Sequence, residues 1–174
     1  MDIACLLDMD VKSVEKRVKI AEAIQLKLVT IAEIQLLKNV VDDKKLALVL
    51  EAMEAVSNKN SEIADLGWLI FAQELVTSKS NNIKRESSRI IGNIAHMFPD
   101  NLKTAIQNLL ENTKADGTVI RWGSAYALAR IIQIPKYANS ELYGILTDLC
   151  EQEQENGVKN QLLTGLKKAK KLKQ

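Results

Sequence analysis

The chain has 174 residues, 47% hydrophobic and 26% charged, a balance that argues against intrinsic disorder over most of its length. Seven glycines and two prolines are too few for the turns that a strand-rich fold needs every eight to twelve residues or so, so helices are expected. The net charge of +2 conceals five lysines in the last eight residues; without them the other 166 residues carry −3, which counts against a general nucleic-acid-binding surface.

Along the chain, the opening "MDIACLLDMD" places acidic residues where a secretory signal has basic ones, and the longest apolar run, near "GWLIFA", falls far short of a membrane span. A soluble, cytoplasmic protein is the expectation. The stretch "SVEKRVKIAEAIQLKLV" reads as helical, and residues 1–29 fit as a degenerate end unit. Thr30 and Glu33 have the spacing of a capping box ahead of "IQLLKNVV", and "KLALVLEAMEAV" from Lys45 keeps a helical apolar spacing. Trp68, in a segment apolar almost all round, is assigned to the core. Further on, "DNLKTAIQNLLENT" aligns Leu102, Ala105, Ile106, Leu109 and Leu110 on one face. In "SELYGILTDLCEQ" the stripe is Leu142, Ile145, Leu146, Leu149 and Cys150, with Ser140 placed to cap the first turn.

Sliding the chain against itself reveals a repeat. "IKRESSRIIGNI" begins at Ile83, "IRWGSAYALARI" at Ile120 and "VKNQLLTGLKKA" at Val158, offsets of 37 and 38 residues. Each opens with a β-branched residue followed by a base, and a large apolar residue (Ile91, Leu128, Leu166) follows eight positions later. Helices expected near Thr30, Ser61, Asp100 and Ser140 lie between these segments, so the chain alternates first (A) and second (B) helices of successive hairpins. Each hairpin carries an apolar stripe that it cannot bury alone, which forces neighbours to stack around one continuous core.

The pattern carried by Ile120, Arg121, Ser124, Ala127, Leu128 and Ile131 resembles the second helix of HEAT repeats, the units of armadillo-type solenoids. Ile83, Lys84, Ser87, Ile90, Ile91 and Ile94 follow it with Lys for Arg and Ile for Ala, and Val158, Lys159, Leu162, Gly165, Leu166 and Ala169 follow it more loosely. The resemblance covers about residues 30–172. It implies an all-α fold, a right-handed α-α superhelix of about four HEAT-like helical hairpins in a single domain, 1–174. The repeats fall at about 30–58, 61–97, 100–134 and 139–172, with B helices lining the concave side.

No constellation of catalytic residues assembles in the sequence. His96 is the one histidine, at the end of a B segment and far from any nucleophile motif, and the glycines are scattered singly. Cys5 and Cys150 show no metal-ligand or disulfide spacing and read as free thiols of a reducing compartment. Asp148, Glu151, Glu153 and Glu155 read as a solvated face, and the lysine tail as a polar cap or a docking segment. No catalytic residue, metal or cofactor is expected.

The lead lies on the B helices. Positions two, six and ten after each opening residue turn away from the core positions and hold Arg85, Arg89 and Asn93, then Trp122, Tyr126 and Arg130, then Asn160, Thr164 and Lys168. Arginine and amphipathic aromatics concentrate binding energy at interfaces. The first six are therefore the expected partner-binding residues, with Trp122 and Tyr126 as anchors and the arginines recognising acidic groups. A competing reading has Trp122 covering a seam and Arg130 stacking on Tyr126. Lys84, Arg121 and Lys159 are expected to bridge repeats, with Asp116 as a candidate partner for Arg121. The resulting functional expectation is a non-catalytic scaffold module binding a peptide or helix of another protein. The alternative is DNA binding by kinship with HEAT-like alkylpurine DNA glycosylases; kinship with the HEAT-like bilin lyases is a weaker third reading.

Overall fold

Eleven α-helices and no strand form among residues 3–173, which the computed structural model describes; positions 1, 2 and 174 of the expected 1–174 domain lie outside the described residues. In chain order they are α1 (Ile3–Asp8), α2 (Ser13–Gln25), α3 (Ile31–Leu37), α4 (Asp43–Lys59), α5 (Leu66–Leu75), α6 (Asn81–Ile94), α7 (Lys103–Asn112), α8 (Thr118–Ile131), α9 (Pro135–Ala138), α10 (Leu142–Gln152) and α11 (Asn156–Lys170). They form an all-α superhelix of stacked helical hairpins. The A helices are α1, α3, α5, α7 and α10, the B helices are α2, α4, α6, α8 and α11, and α9 is a single turn inserted between α8 and α10. Residues 3–25 are thus a hairpin of their own with a short first helix.

Local chemistry sets the helix ends. The capping box before α3 is complete: Thr30 Oγ1 accepts the Glu33 N–H at 3.3 Å, while Glu33 Oε2 accepts the Thr30 N–H at 2.7 Å. Asp42 caps α4 and Asp65 caps α5 in the same one-sided way. The Asp65 cap moves the start of α5 to Leu66, and residues 61–63, where the sequence suggested an α-helix, form only a 3₁₀ turn. Pro99 likewise opens a 3₁₀ turn, so that α7 starts at Lys103. The α2 helix stops at Gln25, short of the expected Val29, because Lys27 adopts φ 56°. The N–H groups of Lys27 and Leu28 then return to the carbonyls of Ile24 and Ala23, the bond pair of a Schellman stop.

Neighbouring B helices contact each other far more extensively than neighbouring A helices do, in the order α2, α4, α6, α8, α11. The B helices thus form the more continuous packed layer of the stack. The core positions follow the repeat frame: Ile83, Ile90, Ile91, Ile94, Ile120, Ala127, Leu128, Ile131, Val158, Gly165, Leu166 and Ala169 are all buried. All of them except Ile120 and Gly165 belong to one apolar cluster running from Ile3 to Ala169, which also takes in Trp68. Ile145 departs from its expected stripe and is exposed.

Two seams depend on missing side chains. A Cβ on Gly165 would sit 2.5 Å from the carbonyl oxygen and 2.6 Å from the Cα of Ala129, so α11 approaches α8 backbone to backbone. At Gly92 a Cβ would meet Ala127 Cα at 3.0 Å and the Tyr126 ring at 3.1 Å, and α6 therefore receives that ring in a notch. Ser87 and Ser124, one repeat apart, are fully buried at the same small-residue slot.

Candidate interaction face

Helical spacing of four aligns Arg85, Arg89 and Asn93 along α6 and Trp122, Tyr126 and Arg130 along α8, and the packing of α8 on α6 joins the two rows. The six expected residues do come together. Their exposure differs from the expectation, however: Tyr126 and Asn93 are buried, at 7% and 8% exposed, and the other four are half-buried. The outward slot is a seam slot for these two because Gly92 lets the ring drop between the helices.

Tyr126 is fixed at both ends. Its hydroxyl donates to Asn93 Oδ1 at 2.7 Å, and Asn93 Nδ2 in turn donates to Ser57 Oγ on α4 at 3.1 Å and to the Glu54 carbonyl at 3.3 Å. The Arg130 guanidinium lies over the Tyr126 ring at 3.5 Å, and the Trp122 ring sits 5.5 Å away, tilted by 32°. Stacking of Arg130 on Tyr126, the competing reading, is therefore present. Trp122 also approaches Gly157 at the start of α11 and leans across the next seam. Burial pushes the Tyr126 phenol above its ordinary value, so it stays protonated and acts as a donor.

The arginines of α6 face carboxylates that the repeat frame does not pick out. Arg89 pairs with Glu54 of α4 at 2.8 Å and with Glu86 at 3.0 Å; Arg85 pairs with Glu86 and, at 3.8 Å, with Glu51. Arg17 of α2 reaches Glu51 from the other side at 3.5 Å. Glu86 is only 1% exposed, its carboxyl group held between two guanidinium groups. Burial raises the Glu54 carboxyl above its usual range, and the opposing pull of Arg89 and of the Asn93 hydrogen bond does not outweigh it. Arg85 and Arg89 are therefore occupied inside the protein, contrary to the expectation that they present free charge to acidic groups. A mid-helix acid three residues before Arg89 hinted at Glu86, whereas Glu51 and Glu54 lie on another helix and nothing in their own segment marks them.

Arg121 bridges repeats as expected, but through a different acid. Its Nε bonds to Glu153 Oε2 at 3.0 Å and its Nη1 donates to the carbonyls of Ala115 and Asp116, so Asp116 contributes backbone and not its side chain. Burial would raise the Glu153 carboxyl; the Arg121 hydrogen bond and the N–H groups of Glu155 and Gln154 overcome that and hold it below the usual range. Glu153 thus leaves the solvated acidic face to which the sequence assigned it. Lys84 and Lys159 form no such ion pair among the described residues.

Between α2, α4 and α6 the face opens into a groove of about 600 Å³ lined by Arg17, Glu22, Gln25, Glu51, Arg85 and Arg89, among others. His96 is exposed, with Nε2 3.4 Å from Ser61 Oγ. Among the described residues no group of three or more histidine, cysteine or acidic side chains is placed to hold a metal ion, and no helix is long and apolar enough to cross a membrane.

No protein-family model matches this chain, and no curated protein does. Solved structures do match, and three of them are crystal structures of engineered proteins. One aligns with TM-score 0.65 and 15% identity over 97% of this chain and 79% of its own. A second gives 0.70 and 17% over 97% of this chain and 47% of its own, so this chain spans about half its length. A third gives 0.56 and 16% over 98% and 99%. At such identities the likeness is one of fold.

Proposed function

We propose that this chain is a HEAT-type scaffold module that binds a peptide or helix of a partner protein along its B-helix face, without catalysis. The observation that carries this reading is the ladder Trp122–Tyr126–Arg130, locked through Asn93 to α4 and set beside an open groove between the B helices. Side chains whose rotamers are already fixed lose little entropy when a partner arrives. Trp122 and Arg130, half-buried, are the residues of the ladder that meet the partner; Tyr126 and Asn93 hold them in place. The carboxylates of Glu51, Glu54 and Glu86 on the same face disfavour a polyanion, which weighs against the DNA-binding alternative. A cytoplasmic setting is part of this reading, since Cys5 and Cys150 show no disulfide or metal-ligand spacing.

Affinity capture with three forms of the protein tests this reading: the parent, the double variant Trp122→Ala/Arg130→Gln, and Gln107→Glu on the exposed surface of α7. A protein held by the parent and by Gln107→Glu, and lost by the double variant while its circular dichroism is unchanged, supports the B face. Equal capture by all three places the binding surface elsewhere.

A further inference from the structure

All five arginines of the chain are described, and four of them are ion-paired: Arg17 with Glu51, Arg85 with Glu51 and Glu86, Arg89 with Glu54 and Glu86, and Arg121 with Glu153. Arg130 is the exception. Its guanidinium carbon sits over the Tyr126 ring, 3.5 Å from the ring centre, and the half-buried side chain makes neither an ion pair nor a hydrogen bond to another side chain among the described residues. Glu54 feels its charge, but the Glu54 carboxylate is already engaged by Arg89 and Asn93.

Stacking occupies a face of the guanidinium and leaves its N–H groups pointing outward in the plane, in the fork that matches a carboxylate. The ring beneath cannot rotate away, because its hydroxyl is held by Asn93 and its edge fills the notch at Gly92. The side chain borders a recess of about 260 Å³ lined by Gly92, Asn93, His96, Arg130, Gln133 and Ile134. No acidic side chain lines that recess, whereas the neighbouring groove carries Glu22, Glu51, Glu54 and Glu86.

We infer that this recess is an anion subsite that takes one carboxylate side chain of an acidic peptide, with Arg130 as its bidentate donor. The proposal rests on the reading of the B face as the partner surface and names the chemistry recognised there. A single carboxylate fits where a phosphodiester chain does not, since a polyanion continuing along the face runs into the carboxylates of α4 and α6. The amide of Asn93 is already committed to Tyr126 and Ser57, and that of Gln133 to the Ala129 carbonyl at 2.6 Å. His96, whose Nε2 lies 3.4 Å from Ser61 Oγ, is a second polar group on the rim, and Arg130 is the lining residue that offers a two-pronged N–H fork.

The test is a titration of ¹⁵N-labelled protein, following the Arg130 Nε–H cross-peak and the side-chain amides of Asn93 and Gln133. The probes are capped alanine pentapeptides whose central residue is glutamate, glutamine or phosphoserine. The glutamate peptide is expected to shift these signals saturably and the glutamine peptide to leave them in place. In Arg130→Lys, which keeps the charge and removes the fork, the Asn93 and Gln133 amides should no longer respond, and the dispersion of the backbone spectrum shows whether the fold is kept. Absence of a response in the parent, an equal response to glutamine, or an unchanged response in Arg130→Lys overturns the subsite. A tighter, Arg130-dependent response to phosphoserine overturns the carboxylate assignment. If the titration fails while partner capture is lost in the single variant Trp122→Ala, the subsite alone is lost; if capture ignores the B face, the parent reading falls whatever the titration gives.

Discussion

Removing the Tyr126 hydroxyl in Tyr126→Phe leaves the ring under Arg130 and strips Asn93 Oδ1 of its donor inside the seam. A buried acceptor left unsatisfied costs about 1–2 kcal/mol, and urea denaturation should show a loss of that size. No measurable loss means that the hydroxyl does not lock the ladder. Glu54 behaves in the opposite sense. Burial lifts its folded pKa above the ordinary value, so the native state holds the proton more tightly than the unfolded chain does. Its contribution to stability is therefore greatest at acid pH and declines as pH rises from the usual carboxylate range through the raised value. Glu54→Gln should remove that decline and be at least as stable as the parent at neutral pH, as judged by urea midpoints at pH 7 and about pH 5. A variant that is weaker at neutral pH and keeps the slope shows that the pair with Arg89 outweighs burial.

At the scale of elements, the α8–α11 seam has the least tolerance. Gly165→Ala drives a methyl into the Ala129 backbone, which cannot yield as a flexible side chain would, and should destabilise the protein by about 1–3 kcal/mol in a denaturant titration. A stability equal to the parent's indicates that α11 can move outward at no cost. The sequence made the helices and their buried phase legible because both follow from local periodicity: every core position read from the repeat at Ile83, Ile120 and Val158 is buried. Caps were legible where the motif was complete, as at Thr30, and missed where a single Asp65 outcompeted the upstream start. The site was half legible. Spacing of four found both rows, but whether a slot faces solvent or a seam depends on the neighbouring helix, and Gly92 decided that for Tyr126. Glu51 and Glu54 were invisible for the same reason, since their partners lie more than thirty residues away.

Across the whole molecule, contacts run mainly between neighbours in the stack, so stability should be graded along it and not uniform. The pair α6 and α8 share the most extensive contact and have B helices on both outer sides. At the other extreme, Val14, Val18, Leu36 and Val40 of the first two hairpins are exposed. Native-state hydrogen exchange should be slowest in α6 and α8 and fastest in α1 to α3; uniform protection would instead mean one cooperative unit. The seams also differ in kind. Ion pairs join α4 to α6, a ring in a glycine notch joins α6 to α8, and bare backbone contact joins α8 to α11. The α5/α6 and α7/α8 hairpins consequently carry two unlike half-joints each, shaped for their particular neighbours. Although the repeat reads as modular in sequence, its units cannot be reordered, duplicated or exchanged without mismatching a joint on either side.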